Sequence, residues 1–228
     1  QGLEMRAIGR NLLEAPDVDL ARVPVNGRTF EAFGEDPWLV SRIGVANIQA
    51  IQSHDIIAMV KHYTVNNQEK DRNVIDVQVS DRALRELYLP PFEAAVREAQ
   101  VASVMCAYNS VNGAFSCENE ELLTTVLKEE WGFRGFVQSD FFAMKSTVKA
   151  ANAGMDLEMP QPQFYGAPLL AAVTAGEVAE SRVDDMLLRR YSEMFRFGLF
   201  DNAPALSPIP VEEHATIARE ISAAGSVL

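Results

Sequence analysis

Short apolar runs alternate along the chain with longer segments of helical periodicity. The runs are apolar on both faces, which is typical of parallel strands covered by helices. They predict five strands, at Leu12–Leu20, Ile56–Tyr63, Ala102–Tyr108, Phe136–Asp140 and Met155–Met159.

The segments between these runs predict helices. Asp36 and Ser80, each followed by a helical pattern, are residues of the type that caps helix N-termini. The predicted helices run from Asp36-Pro37 to about Gln52, from Ser80-Asp81 through a kink at Pro90-Pro91, from near Glu118 to Trp131-Gly132, and from about Ala179 to Phe197 with Gly198 as C-cap. Five strands in strict alternation with helices predict an α/β fold, either a barrel or a doubly wound sheet.

Polar residues close each of the predicted strands. Both architectures place their chemistry at the C-terminal ends of the strands. Any one of these polar groups is best explained as a buried ion pair, but polar groups at all five strand ends favour an active-site pocket. They are Asp17 and Asp19, Lys61 and His62, Tyr108 and Asn109, Ser139 and Asp140, and Asp156 with Glu158.

Composition narrows the class of protein. The chain has 228 residues, of which 48% are hydrophobic and 23% charged, as in ordinary folded domains. Its net charge of −12 argues against a nucleic-acid partner, because a phosphate backbone would be repelled. No apolar run reaches the roughly 18 residues that a membrane-spanning helix needs, so no membrane partner is expected.

Motifs for bound cofactors are missing from the sequence. Neither of the glycine-rich phosphate loops, GxGxxG or GxxxxGK[ST], occurs. The histidines His54, His62 and His214 lack metal-ligand spacing, and neither HExxH nor CxxC is present. We therefore expect no cofactor and no metal.

The two cysteines leave an alternative open. Cys106 and Cys117 flank a turn-rich stretch that is able to bring them together. They form either a disulfide or two free thiols, and a disulfide would imply an oxidising compartment. The chain shows no signal peptide, so the sequence leaves its compartment open.

Two groups of residues carry candidate chemistry. Lys61 and His62, with Arg28 and Arg72, would suit a substrate rich in hydroxyls. A salt bridge from the Lys-His pair to a neighbouring strand-end acid is the alternative. Strand side chains alternate, so both face one pocket only if the strand ends there and the backbone turns. Asp140 is a nucleophile, a general base or a buried structural acid, and spacing alone leaves these roles open.

Several motifs follow one another in a recognisable order along nearly the whole chain. They are GRTFEAFGEDP (27–37), VKHYTVNNQE (60–69), the following Arg72, SDRALRELYLPPFEAAV (80–96), MCAYNSVNG (105–113), LLTTVLKEEWGFRGFVQSD (122–140) and NAGMDLEMP (152–160). With them the chain resembles the catalytic barrel domain of the family-three glycoside hydrolases, the β-glucosidase and β-xylosidase group.

The resemblance implies a (β/α)8 TIM-type barrel that is truncated at its N-terminus and lacks the α/β sandwich domain that follows it. Residues 1–200 would form the catalytic barrel, and residues 201–228 would form a linker and the start of a second domain. It implies a retaining, exo-acting β-glycosidase that releases terminal non-reducing β-D-glucosyl residues through a covalent glycosyl-aspartate. The acid/base glutamate would lie outside this chain, in the remaining segments of the enzyme.

The same resemblance assigns residue roles. Asp140 would be the catalytic nucleophile. Glu158 also matches the family pattern, and we expect a structural role for it. The residues expected to bind the hydroxyls of the sugar in the −1 subsite are Arg28, Lys61, His62, Arg72 and Tyr108.

Two departures from the family pattern bear on specificity. Phe141 replaces the tryptophan that usually follows the nucleophile, so the aromatic platform beside the sugar is smaller. KHYTVNNQE replaces the KHFPGHG-type loop of the related β-N-acetylglucosaminidases, which argues against amino-sugar substrates. β-Xylosidase, α-L-arabinofuranosidase or phosphorylase activity on the same framework stays open. A non-catalytic carbohydrate-binding barrel is a further alternative, against which an intact Asp140 argues.

Overall fold

The computed structural model describes residues 1–202 and 205–227; residues 203, 204 and 228 of the predicted linker region lie outside the described residues. The α-helices are α1 (Gly2–Ala7), α2 (Pro37–Gln52), α3 (Asp81–Ala83), α4 (Pro90–Arg97), α5 (Val148–Ala153), α6 (Ala167–Thr174), α7 (Glu180–Arg196) and α8 (Val211–Gly225). The strands are β1 (Leu12–Leu13), β2 (Ile57–Tyr63), β3 (Asp76–Val77), β4 (Ser103–Cys106), β5 (Ser110–Val111), β6 (Ala114–Phe115) and β7 (Phe136–Ser139). Leu84–Tyr88 and Glu121–Glu130 are π-helical, and Thr29–Glu31 and Ser116–Glu118 are 3₁₀ turns.

The main sheet is parallel and its strands lie in the order β1-β2-β4-β7. Neighbouring strands therefore follow chain order, with helical segments between them. A doubly wound sheet reverses its strand order at a switch point, whereas a barrel does not. The α/β prediction is confirmed, and the strand order favours the barrel arrangement.

The predicted strands all appear in this sheet, but the first and last are much shorter than predicted. After β1 the regular ladder with β2 is interrupted, because Pro16 has no N–H to donate to it, and a single bridge follows between Asp17 and Lys61. The fifth predicted strand is reduced to one bridge, between Gln138 and Leu157.

The four predicted helices are present, one of them in pieces. Oδ1 of Asp36 accepts hydrogen bonds from the N–H groups of Trp38 and Leu39 at 2.7 and 3.1 Å, so α2 begins at the predicted cap. The helix predicted from Ser80 divides into α3, a π-helical segment and α4, because the prolines at the start of α4 donate no helical hydrogen bond. Among the described residues, no helix combines the length and the apolar character needed to cross a bilayer.

The two faces of the main sheet are both apolar. Ala58 and Val60 on β2 pack against the helices, whereas Ile57 and Met59 belong to a smaller cluster on the opposite face. This alternation is the period of two expected of a strand. Tyr63 packs with the helical side again, although an even alternation from Val60 would place it on the other face. One residue of the ladder has therefore been skipped between these two positions.

Cys106 and Cys117 form a disulfide, with their Cα atoms 5.3 Å apart. The structure thus decides between the two alternatives that the sequence left open, and disulfides favour an oxidising compartment. Cys106 pairs with Ser139 in the sheet, and its carbonyl oxygen accepts the N–H of Asp140 at 3.3 Å. The disulfide consequently anchors the strand end next to Asp140.

Candidate active site

A cleft of about 350 Å³ opens at the C-terminal ends of the parallel strands. Five of the predicted site residues line it, together with two residues that the sequence analysis did not select. A cavity of about 450 Å³ at the opposite ends of β4 and β7 contains no predicted site residue. The residues that line the first cleft are Glu14, Arg28, Lys61, His62, Arg72, Met105 and Asp140.

Lys61 and His62 reach the cleft in a way that differs from the prediction. Both side chains were expected to face one pocket only if the strand ended and the backbone turned at this pair, but β2 runs through the pair to Tyr63, the predicted last residue of the strand. The register of β2 against β4 shifts between Val60 and Tyr63, and the Lys61–His62 peptide is cis. A bulge places two consecutive side chains on one face, which is the physical reason that both line the cleft without the strand ending.

Asp140 follows β7 and points one carboxylate oxygen into the cleft. Its Oδ1 accepts hydrogen bonds from the hydroxyl of Tyr108 at 3.0 Å and from the N–H of Phe141 at 2.7 Å. Its Oδ2 lies 3.7 Å from Nε2 of His62, and the side chain is 14% exposed. One oxygen is therefore held by two donors while the other stays accessible.

The hydroxyl of Tyr108 stays protonated and so can always donate its hydrogen bond to this carboxylate. Burial and the negative charge of Asp140 raise the pKa of Tyr108 to about 12, so its hydroxyl keeps its proton across the physiological range. The guanidinium carbon of Arg72 lies 4.1 Å from the centre of the Tyr108 ring, a distance typical of a cation–π contact.

Carboxylates behind the cleft hold its cationic side chains in place. Glu31 accepts two hydrogen bonds from Arg28 at 2.9 and 3.0 Å and lies 3.5 Å from Nζ of Lys61. Arg28 in turn holds the pKa of Glu31 below its ordinary value. Glu69 accepts a hydrogen bond from Arg72 at 2.6 Å. The donors that face the cleft are thus fixed in position before any ligand binds.

His62 lies in a buried cluster with Asp17 and Asp19. Its Nδ1 is 2.8 Å from Oδ2 of Asp19 and 3.7 Å from Oδ2 of Asp17. Burial raises the pKa of Asp19 to about 7, and burial with the charge of Asp19 does the same for Asp17. Burial lowers the pKa of His62 to about 4, against the opposing charge of Asp17. One ligand atom from each residue lies within 4.8 Å of the others, but their hydrogen bonds to one another already account for this arrangement.

This cluster predicts a fall in stability with rising pH. The two carboxyls favour folding while protonated, so their contribution is complete below about pH 4 and is lost as pH rises through about 7. His62 contributes the opposite change between about pH 4 and 6.5. Between about pH 4 and 6.5 the folded state therefore binds one proton more than the unfolded state. The free energy of unfolding should fall by about 1.4 kcal/mol per pH unit over this range.

Denaturation of the Asp17→Asn variant at pH 5 and pH 8 tests this. An amide cannot ionise, so we expect the loss of unfolding free energy between these pH values to shrink by about 3 kcal/mol. Asp184, exposed on α7, supplies the matched Asp→Asn control, which should leave the pH dependence unchanged. An unaltered pH dependence in Asp17→Asn would contradict the interpretation.

The remaining candidate residues lie at the margin of the cleft or away from it. Phe141 is beside Asp140 but 43% exposed, and it does not contribute to the lining. The carboxylate of Glu158 accepts backbone N–H groups from residues 163–165, as a structural group does. Glu14 and Met105 also line the cleft but were not predicted. They belong to the first and the third predicted strand respectively, so the alternation of side chains along those strands was a signal available in the sequence.

The sequence of this chain is similar to those of known proteins. A sequence profile described as "Glycosyl hydrolase family 3 N terminal domain" matches residues 1–192. A protein named beta-glucosidase from Rhizobium radiobacter is 42% identical over 100% of this chain, and beta-glucosidase B from Emericella nidulans is 39% identical over 99% of it. The chain spans only 28% and 27% of the length of these two relatives.

Solved structures give the same result. Beta-glucosidase 3B from Thermotoga neapolitana, in complex with alpha-D-glucose, superposes with a TM-score of 0.92 and 37% identity, covering 96% of this chain and 32% of that one. The beta-glucosidase DesR from Streptomyces venezuelae, in complex with D-glucose, gives a TM-score of 0.86 and 38% identity, covering 91% and 28% respectively.

Proposed function

Because the chain belongs to glycosyl hydrolase family 3, we propose that it is the catalytic part of a retaining, exo-acting β-glucosidase. The N-terminal domain of this family is an α/β barrel, and the parallel sheet described above forms part of one. Relatives and solved structures of similar sequence carry the name beta-glucosidase, which supports glucosides as the substrate class.

The observation that carries the proposal is how the two carboxylate oxygens of Asp140 are placed. Two donors hold its Oδ1, and its Oδ2 opens into a cleft lined with hydrogen-bond donors. In the proposed reaction Oδ2 attacks the anomeric carbon, the bond to the leaving oxygen breaks, and a glycosyl-aspartate ester forms. Water then hydrolyses that ester, so the configuration at the anomeric carbon is retained and no cofactor is required.

The donors around Asp140 would bind the hydroxyls of the sugar. Fixed, charged donors lose little conformational entropy when a ligand binds, and the carboxylates behind them supply that fixation here. Phe141 would form a small apolar platform where the leaving group departs. The residues assigned to sugar binding are Arg28, Lys61, His62, Arg72 and Tyr108.

The general acid/base is proposed to be a glutamate in a segment outside residues 1–228. Several carboxyls of this chain are engaged elsewhere: Glu31 with Arg28, Glu69 with Arg72, and Glu158 with backbone N–H groups. Retention requires the two carboxyls to lie about 5–5.5 Å apart, so the segment that carries the acid/base must pack over the strand ends.

Trapping the covalent intermediate in the full-length enzyme tests the proposal. A 2-deoxy-2-fluoro-β-glucoside with a dinitrophenolate leaving group should inactivate the enzyme stoichiometrically, and peptide mapping should locate the sugar on Asp140. A binding module would form no adduct. An adduct on another carboxyl would remove Asp140 from the nucleophile's role.

Sugar preference is tested separately with nitrophenyl glycosides. We expect the β-glucoside to give the highest kcat/KM, ahead of the β-xyloside and the α-L-arabinofuranoside. The N-acetyl-β-glucosaminide should be the poorest, since the segment 60–69 lacks the KHFPGHG-type loop. A preference for the amino sugar would contradict the specificity proposed here.

A further inference from the structure

The two ring nitrogens of His62 face different surroundings, and the proposed sugar binding involves only one of them. Nδ1 faces away from the cleft, 2.8 Å from Oδ2 of Asp19, and the same oxygen accepts the backbone N–H of His62 at 3.2 Å. Nε2 faces the cleft, 3.7 Å from Oδ2 of Asp140. The side chain of His62 is only 1% exposed, and Nδ1 has its hydrogen-bond partner in Asp19. At 3.7 Å, Nε2 is too far from Asp140 for a direct hydrogen bond and is left for a ligand in the cleft.

The pair of Asp19 and His62 has two relevant protonation states. While the pair holds its titratable proton, that proton lies either on Oδ2 of Asp19 or on Nδ1 of His62. In both arrangements Nε2 carries a hydrogen, because a ring that accepts at Nδ1 is protonated at Nε2 and an imidazolium is protonated at both. Once the proton leaves to solvent, the neutral ring has a single hydrogen, and the Asp19 carboxylate draws it to Nδ1.

We propose that Asp19 is a positioning residue that sets whether His62 donates or accepts a hydrogen bond in the cleft. With the pair protonated, Nε2–H donates toward the sugar and Asp140; with the pair deprotonated, Nε2 presents a lone pair. The inference rests on the proposed glycosidase function, and it adds an alkaline limit on activity that originates within the barrel.

The donor form is the productive one. A lone pair on Nε2 would face the carboxylate of Asp140 and repel it, whereas an N–H is attracted to that oxygen and to a sugar hydroxyl lying between them. Burial raises the pKa of Asp19 to about 7, which places the change near neutral pH. The charged and titratable groups that face the pair are Asp17 beside Asp19, Arg28 and Glu31 from the following loop, Lys61 on β2 and Asp140 after β7.

The pH dependence of kcat/KM tests the proposal in the full-length enzyme. The substrate is 2,4-dinitrophenyl β-glucoside, whose leaving group needs no proton, so the external acid does not limit the reaction. We expect kcat/KM of the wild type to fall about 10- to 100-fold above about pH 7, in a single-proton step.

Asp19→Asn should remove this step. The amide oxygen of the asparagine takes the place of Oδ2 and accepts the backbone N–H of His62. It also accepts a hydrogen bond from the ring, which fixes the ring hydrogen on Nδ1. We expect kcat/KM at pH 6 to lie about 10- to 100-fold below the wild type, at the wild type's alkaline value, and to stay flat with pH. An alkaline step that persists in Asp19→Asn would overturn the proposal and assign the step to another group, such as Asp17.

Two further measurements keep the test decisive. His62→Gln places a non-titrating amide donor near the position of Nε2, so its kcat/KM should be lower but should not fall above pH 7. Asp55→Asn, an exposed residue at the other end of β2, is the control and should keep the wild-type profile. If no aryl glycoside were hydrolysed, the proposed function would fail; hydrolysis with unaltered profiles would refute this inference alone.

Nitrogen-15 NMR of the histidines observes the ring hydrogen directly. The signals of His62 are identified by their loss in the spectrum of His62→Gln. The wild-type ring should carry hydrogen on Nε2 at pH 6 and only on Nδ1 at pH 8.5. A ring that keeps its Nε2 hydrogen at pH 8.5 would refute the proposal.

Discussion

Asp140→Gly is expected to lower kcat/KM for an aryl β-glucoside by about 10⁴- to 10⁶-fold, the range found when a catalytic nucleophile is removed. The side chain makes few contacts that the fold depends on, because one of its oxygens faces open space in the cleft. Folding should therefore persist, and the far-UV circular dichroism spectrum should match that of the wild type. Steady-state kinetics in the full-length enzyme provides the measurement.

Azide distinguishes a lost nucleophile from a damaged site. The glycine leaves space for a small anion where Oδ2 attacked, so azide should restore part of the turnover with an activated substrate and yield the α-glycosyl azide. Recovery of the β-azide would place the nucleophile elsewhere. Glu14→Gln is the matched comparison, since Glu14 lines the same cleft and its Oε1 accepts a hydrogen bond from Nε2 of Gln138 at 3.0 Å. Its loss of activity should be far smaller and should not respond to azide.

Much of the fold was predictable because buried parallel strands are apolar on both faces. That signal located every strand of the main sheet, and helix caps located α2 and α7. It failed for the small sheet of β3, β5 and β6, whose strands have only two residues each and therefore no periodicity. Helical periodicity did not predict the short helices α1, α5 and α6. Helix α8 lies within residues 201–228, the region expected to form a linker and the start of a second domain.

The positions of several site residues could be predicted from the sequence, but the contacts that orient them could not. The rule that chemistry lies at the carboxyl ends of parallel strands selected Lys61, His62, Tyr108 and Asp140. The bulge that brings Lys61 and His62 to one face leaves no mark in a sequence, because it depends on how β2 pairs with β4. The partners of the cleft donors were equally hidden. Glu31 and Glu69 lie three residues from the arginines they bind, but loop conformation decides that those pairs form.

Asp156→Ala is expected to cost about 3–5 kcal/mol of unfolding free energy, the range for breaking a buried ion pair by removing one partner. Its carboxylate is 1% exposed. Oδ1 accepts hydrogen bonds from Lys128 at 2.9 Å and from Arg182 at 2.5 Å, and Oδ2 accepts the N–H of Val137 at 2.8 Å. Without it, the buried N–H of Val137 loses its acceptor, and the ammonium of Lys128 keeps only the carbonyl of Gly154 and loses its counter-charge.

Chemical denaturation of three variants measures this effect and its cause. Asp184→Ala, exposed on α7, is the matched control and should change stability by less than about 0.5 kcal/mol. The double variant Asp156→Leu, Lys128→Met removes the charges of the buried pair, keeps apolar volume, and leaves Arg182 its ion pair with Asp185. It should therefore be more stable than Asp156→Ala. Burial already lowers the pKa of Lys128 to about 8, so its charge has little support once the carboxylate is gone. If Asp156→Ala matched the control, the residue would not hold Leu157 against β7, and the strand that carries Asp140 would owe its position to the disulfide and the apolar core alone.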